Sequence, residues 1–253
     1  MDMNFLGIDI GCTAIKHGQV CFDPELCVSD FDSIFLPQAS TADQFSQAIS
    51  PLLENTSSFQ AVGLGFPSTV RNNTILNLSI RFNDIWSRVS ALLKAQNTPC
   101  FAINDADAAG IAEVYRYEAA ALRKGVTVVV TLGTGIGSAV FLDGKLLPNT
   151  ELGLIEMHGM TAEKYTAASV KTKEGLSWQA WAARLQEYLS KVEVVLKPDT
   201  LILGGGISAD FEEYSSLIKT YAQLLPAFYR QQAGVIGAAM YASLQMGLYK
   251  LPE

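Results

Sequence analysis

Histidine is nearly missing from this chain, which holds only His17 and His158. Its cysteines, Cys12, Cys21, Cys27 and Cys100, show no CxxC spacing. With so few imidazoles and no paired thiols, no structural zinc is expected. The same cysteines are expected as reduced, mostly buried thiols. Basic residues are scarce too: 18 Lys and Arg stand against 25 Asp and Glu, a net charge of −7. No basic stripe or tail is present, which argues against a nucleic-acid surface. No apolar run approaches the ~18 residues of a membrane span. The start, Met1-Asp2-Met3-Asn4, has no positive charge to open a signal peptide. The expectation is a cytoplasmic protein that binds neither nucleic acid nor membrane. What remains is ordinary globular composition, 49% hydrophobic and 17% charged over 253 residues, enough for one large core or two medium ones.

Strand-like runs rich in Val, Ile, Leu and Phe fall at 5–10, 14–22, 32–36, 61–66, 99–103, 126–132, 138–142 and 200–204. Several are nearly unbroken, as in strands covered on both faces. Helical stripes lie between them: Ile85, Val89, Leu92 and Leu93, and then Trp178 to Leu196 with Ser177 as N-cap. Phe211, Tyr214, Ile218, Tyr221 and Leu225 draw another after Ser208, and an Ala-rich helix is expected from Ala108 to Ala121. The order of elements recurs, which predicts an α/β protein of two halves, 1–124 and 125–253. The small, apolar tail 233–250 is expected to form a final helix that packs back on the first half.

Two turns rich in small residues join strand-like runs. One is Asp9-Ile10-Gly11-Cys12-Thr13, the other Leu132-Gly133-Thr134-Gly135-Ile136-Gly137. A strand, not a helix, follows each, so neither reads as a dinucleotide turn. Backbone N–H groups and hydroxyls in such turns suit an anion, and glycine lets the backbone approach it. Two of them facing each other would grip a phosphate chain, as in a kinase built from two similar halves. Between them, Asn104-Asp105-Ala106-Asp107 ends an apolar run and opens a helix. Asp105 or Asp107 could serve only as a helix cap. Between two phosphate turns the stronger reading is Asp105 as the base beside an attacking hydroxyl, a role typically worth roughly 10²–10⁴-fold.

These segments, together with Pro148-Asn149-Thr150-Glu151-Leu152-Gly153, Glu174-Gly175-Leu176-Ser177-Trp178 and Leu203-Gly204-Gly205-Gly206-Ile207-Ser208, resemble the ROK family (repressor, open reading frame, kinase) in order and spacing. The resemblance runs from about residue 5 to 245 and is strongest to the polyphosphate-dependent glucokinase subgroup. It implies two ribonuclease H-like, actin-like ATPase halves with mixed sheets flanked by helices and a cleft between them. It implies a sugar kinase that moves a terminal phosphoryl group from polyphosphate or ATP to a hexose hydroxyl, with Mg2+ as cofactor. Asp105 would be the catalytic base. Asn104, Ser68, Glu151 and Glu163 would contact the sugar. Asp9, Gly11, Thr13, Lys16, Gly133, Thr134 and Gly135 would hold phosphates, with Asp9 also near the metal. Gly204, Gly205 and Gly206 would lie on the nucleotide side. Simpler readings stand beside three of these: Lys16 as a solvated strand residue, Glu163 as an exposed helical one, and the triple glycine as a tightly packed strand-to-helix turn. Relatives are often dimers, and the aromatics of 178–225 are candidates for a homodimer contact.

The departures bear on the sugar. Leu154 stands where the family reads histidine, and Phe66-Pro67-Ser68 replaces its Pro-Gly turn. The loop ahead of Trp86 reads Leu78-Ser79-Ile80-Arg81-Phe82-Asn83, so Arg81 or Asn83 becomes a candidate replacement contact, as does His158. Two lost hydrogen bonds would weaken glucose by roughly 10–100-fold, enough to alter sugar preference. The alternative from another class is a non-catalytic sugar-binding or regulatory protein on the same fold.

Overall fold

A hairpin opens the first half of the chain and a second hairpin of the same design opens the other. The computed structural model describes residues 3–22, 26–37, 40–76 and 80–249. Leu78 and Ser79 of the loop ahead of Trp86 fall outside them, as do Met1 and Asp2. The chain divides into two compact units, Met1–Ala112 with Gln232–Pro252, and Glu113–Gln231.

In the first unit β1 (Asn4–Ile10) pairs antiparallel with β2 (Ala14–Cys21), and β2 with β3 (Cys27–Phe35). Next, α1 (Ala42–Leu53) leads to β4 (Ala61–Phe66), parallel to β1. A short hairpin, β5 (Val70–Arg71) and β6 (Thr74–Ile75), precedes α2 (Ile80–Ala95), β7 (Cys100–Asn104) parallel to β4, and α3 (Asp105–Tyr115). The strand order is β3-β2-β1-β4-β7. Every residue of β4 is buried, as expected for a strand covered on both sides. On one side Leu6, Ile8, Ile10, Leu64 and Phe66 pack with α1 and α2. A reciprocal cap starts α1: Gln44 N–H donates to the Thr41 hydroxyl, and Thr41 N–H to the Gln44 side chain.

In the second unit β8 (Val126–Leu132), β9 (Ile136–Leu142) and β10 (Lys145–Leu147) run antiparallel. A hairpin of β11 (Glu156–Met157) and β12 (Met160–Thr161) leads into α4 (Ala162–Thr166), α5 (Ala168–Glu174) and α6 (Trp178–Leu196). The parallel strands β13 (Thr200–Gly204) and β14 (Gln223–Pro226) flank α7 (Phe211–Tyr214). The order β10-β9-β8-β13-β14 repeats the wiring of the first sheet. Each unit thus has the ribonuclease H-like arrangement implied by the resemblance. Ser177 caps α6 by accepting from Ala180 N–H at 3.2 Å, as its position before the apolar stripe predicts.

Three sequence expectations need correction. The stripe after Ser208 gives only the four residues of α7, and Leu225 lies in β14. Tyr221 is fully exposed, so the apparent helical spacing had no common face. The helix expected over Ala108 to Ala121 breaks at Arg116, whose backbone is extended, before a 3-10 turn at Tyr117–Arg123. The aromatics expected at a dimer contact are mostly core: Trp181, Tyr188 and Tyr214 have no exposed surface, and Trp178 stacks on Tyr214.

The cysteines also differ from expectation. The β2–β3 register sets Cys21 opposite Cys27, and the two form a disulfide with Cα atoms 5.2 Å apart. Direct pairing across an antiparallel hairpin falls within the reach of such a bond. Cys12 is exposed and Cys100 half-buried.

The final helix, α8 (Ala233–Gln245), covers the other side of the first sheet, with Val235, Ala239 and Ala242 against Phe5, Val20 and Ala61. Its small residues allow backbone-to-backbone approach. A Cβ at Gly63 of β4 would overlap the Ala238 carbonyl, and one at Gly7 of β1 the Val235 carbonyl. Gly63→Ala is therefore expected to cost about 1–3 kcal/mol, read as a lower urea midpoint with an unchanged m-value; an unaltered midpoint would refute this packing.

Candidate active site

Each unit places its predicted residues at the same edge of its own sheet, and the first unit is the clearer for chemistry. The turn between β1 and β2 is tight, with Gly11 N–H donating to the Ala14 carbonyl at 2.8 Å. Leu36 N–H donates to the Thr13 carbonyl at 2.9 Å, tying the turn to the end of β3. Asp9 sits one residue before the end of β1, with Lys16 directly opposite on β2. The Lys16 ammonium reaches the Asp9 carboxylate at 3.4 Å, so Lys16 is an ion-pair partner and not merely a solvated residue. A Cβ on Gly234, in the first turn of α8, would come within 2.6 Å of the same carboxylate. Glycine there gives Asp9 its room.

The β7–α3 junction resolves which residue caps the helix. Asn104 Oδ1 accepts from Asp107 N–H at 2.9 Å, and Asn104 Nδ2 donates to the Ser68 carbonyl at 3.3 Å. The cap, which the sequence offered to Asp105 or Asp107 as the simpler alternative, therefore belongs to Asn104. Asp107 is 1% exposed and faces α8, where its charge pushes the Tyr241 hydroxyl pKa up beyond the effect of burial. Asp105 is half-buried, and its Oδ1 accepts from Ala106 N–H at 2.8 Å. Gly65 on β4 admits this residue: a Cβ there would lie 3.4 Å from Asp105 Cα. Beside Asn104, the Ser68 hydroxyl is buried with no hydrogen-bond partner among the described residues. A buried orphan hydroxyl costs about 1–3 kcal/mol and suits a site that a polar ligand completes.

In the second unit the 133–135 turn is clamped from α5. Ser169 N–H donates to the Gly133 carbonyl at 3.0 Å and its hydroxyl to the Thr134 carbonyl at 2.7 Å. Thr134 is exposed, and a Cβ on Gly133 would meet nothing within 4 Å. The outer side of the turn is therefore open. A Cβ on Gly135 would come within 2.7 Å of the Glu163 carboxylate, which lies over the turn. Glu151 is close to Glu163. Surrounding protein lifts the Glu151 carboxyl above its usual range, and the Glu163 charge adds to the shift, although Glu151 keeps solvent contact.

Residues that sequence reasoning did not single out hold Glu151 in place. The Ser138 hydroxyl donates to the Thr150 carbonyl at 2.7 Å and accepts from Leu152 N–H at 3.0 Å. Thr150 answers by donating to the Ser138 carbonyl at 2.9 Å. Gly153 lies against the Ile136 carbonyl, leaving no space for a Cβ. Ser169, Ser138 and Thr150 had no pattern of their own in the sequence, since a lone hydroxyl on a strand, loop or helix start has many uses.

At the end of β13, Gly204 is buried and Gly205 takes a left-handed backbone (φ +82) against the Leu132 backbone. Close packing accounts for Gly205, whereas Gly206 opens outward with nothing near. The proposed sugar substitutes fare differently. His158 bonds Glu187 at 2.7 Å and rests on the Tyr165 ring. Arg81 donates to the Ser40 carbonyl at 3.1 Å and lies over Phe45 and Phe82. Both are engaged structurally. Leu154 is 55% exposed.

Among the described residues no three His, Cys, Asp or Glu side chains gather as a metal cage. Mg2+ bound beside phosphates needs only one or two carboxylates, the rest of its shell being water and phosphate oxygen. Asp9, with its carboxylate 15% exposed beside the first turn, fits that requirement.

A family model described as "ROK family" matches residues 5–163. The polyphosphate glucokinase of Mycobacterium leprae (strain TN) is 35% identical over 240 residues, spanning 92% of this chain and 73% of that protein. The polyphosphate/ATP-glucomannokinase structure from Arthrobacter sp. strain KM superimposes with a TM-score of 0.84 at 37% identity, covering 96% of this chain and 99% of that one. A ROK family glucokinase from Streptomyces griseus, solved with glucose and AMPPNP, gives 0.78 at 21% identity over 95% and 99% of the two chains, a likeness of fold.

The pKa shift of Glu151 yields a prediction. Its folded-state value is raised, so ionisation costs stability once pH rises above the ordinary carboxylate range. Glu151→Gln should melt above the parent at pH 7, and the two should converge as pH falls below that range. An offset that does not change with pH would show that Glu151 charge is not the cause.

Proposed function

The chain belongs to the ROK family, and from that premise we propose that it is a sugar kinase, transferring the terminal phosphoryl group of polyphosphate or ATP to a hexose hydroxyl. The observation that carries the proposal is the β7–α3 junction: Asn104 supplies the cap of α3, and beside it the half-buried Asp105 places its carboxylate at the helix start. A carboxylate at that position accepts the proton of the attacking hydroxyl. The hydroxyl oxygen then bonds to the terminal phosphorus as the bond to the donor breaks, leaving ADP or a shortened polyphosphate. Phosphoryl transfer asks mainly for alignment and charge neutralisation.

The remaining roles follow the chemistry of each group. The open turns at 11–13 and 133–135 offer backbone N–H groups and the Thr13 and Thr134 hydroxyls to phosphate oxygens. Lys16 adds a positive charge there. Mg2+, held by Asp9 through water, would supply further neutralisation of the donor's charge. Asn104 keeps a second Nδ2 hydrogen for a sugar oxygen, and the Ser68 hydroxyl gains the partner it lacks. Glu151 and Glu163 accept from sugar hydroxyls, which satisfies two neighbouring carboxylates at once. The chain works in the cytoplasm on this reading, where both donors and hexoses are found. Retention of Asp105 favours a kinase over a non-catalytic sugar-binding protein.

Two measurements test the proposal. Asp105→Asn should lower kcat at least ~10²-fold with a native circular dichroism spectrum; nearly normal turnover would remove Asp105 from the mechanism. Leu154→His should lower the KM for glucose by about 2–10-fold, the worth of one hydrogen bond. Unchanged kinetics would place residue 154 outside the sugar site.

A further inference from the structure

Strands β8, β13 and β14 run parallel in adjacent positions, so their carboxyl ends share one edge of the second sheet. The register sets Thr131 beside Gly204 and Leu203 beside Pro226. Three segments therefore leave that edge in order: the 133–135 turn, the glycines 204–206, and residues 227–229. Neighbouring strands lie ~4.8 Å apart, which puts the outer two segments about 10 Å from each other. That span matches a nucleotide measured from its phosphates to its base. Ligands of open α/β sheets bind at such carboxyl ends.

The 227–229 segment is held stiffly. Ala227 N–H donates to the Leu203 carbonyl at 2.9 Å, and a Cβ on Gly204 would touch Ala227 Cβ at 3.5 Å. Phe228 and Tyr229 both donate their backbone N–H to the buried Glu113 carboxylate, at 2.8 and 2.9 Å. On that support the Phe228 ring stands 62% exposed. The Arg116 guanidinium lies 4.5 Å from its centroid, and the Tyr229 ring meets it edge-on at 5.0 Å. The extended backbone at Arg116, which ends α3, lets this side chain reach the ring. Here is a large aromatic fixed at its backbone, backed by a cation, and left in solvent on the segment that follows the strand next to β13, whose own end leads into the open Gly206.

We infer that Phe228 is a base-stacking residue that admits a nucleoside triphosphate as donor. The inference rests on the sugar-kinase reading and names a residue that sets donor preference within it. The exposed part of the ring takes the base, Gly206 leaves room for the ribose, and the 133–135 turn takes the phosphates. Inorganic polyphosphate has no ring to stack, so it gains nothing from Phe228. Stacking of a base on an aromatic side chain is sequence-tolerant and sizeable, and Arg116 strengthens the platform.

Initial rates with ATP and with inorganic tripolyphosphate as donors, at saturating glucose, test the inference in the parent, Phe228→Ala and Phe228→Trp. The ratio of kcat/KM for ATP to that for tripolyphosphate should fall about 5- to 100-fold in Phe228→Ala and stay within about twofold in Phe228→Trp. An unchanged ratio in Phe228→Ala overturns the inference. Calorimetric binding of ATP and tripolyphosphate to the same proteins separates it from catalysis. A parent that transfers phosphoryl from neither donor refutes the kinase reading. The stacking role then stands if Phe228→Ala loses ATP affinity relative to tripolyphosphate, and falls if it does not.

Discussion

At the end of β7 one amide does two jobs: Asn104 accepts from Asp107 N–H and donates to the Ser68 carbonyl. The first bond closes the buried start of α3, and the second fixes the loop that follows β4. Without it, either aspartate behind it would be drawn into capping, because a helix start buried without a partner is costly. With it, Asp107 goes into the packing against α8 and Asp105 stays at the surface of the unit. The separation of two aspartates only two residues apart, one buried and one accessible, thus depends on a neighbouring neutral side chain.

The repeated sheet order puts comparable positions to different uses. The fifth strand of the first sheet ends in Asn104 and is followed by Asp105; the fifth strand of the second is followed by Ala227 and Phe228. The hairpin turn of the first unit carries an ion pair between facing strands. Its counterpart in the second is pinned by a serine from a following helix. One architecture thus presents a carboxylate in one copy and an aromatic ring in the other, because side chains at strand ends are free of the sheet's packing demands.

Much of this was legible in the residues. Nearly unbroken apolar runs located the central strands, and the small-residue turns between them located both hairpins. The stripe from Trp178 to Leu196 located α6 because its buried positions keep helical spacing over five turns' worth of chain. The short elements were hidden. Phe211, Tyr214 and Ile218 are buried or partly so and imitate a helix, yet the chain turns away before Tyr221 to form a strand of four residues. The cap at Asn104 was masked because Asn-Asp-Ala-Asp offers three side chains able to do it. The cysteine pair needed a register, which spacing does not reveal. The hydroxyl clamps of Ser138, Thr150 and Ser169 arise from contacts between segments far apart in sequence.

The final helix has a consequence for biosynthesis. Residues 113–231 form a contiguous unit, whereas the first sheet lacks the cover over Phe5, Val20 and Ala61 until α8 has been translated. On the ribosome the later-made unit can therefore mature before the earlier-made one. Until α8 emerges, one apolar flank of the amino-terminal sheet stays wet, and that nascent surface is where chaperone engagement or misassembly would concentrate.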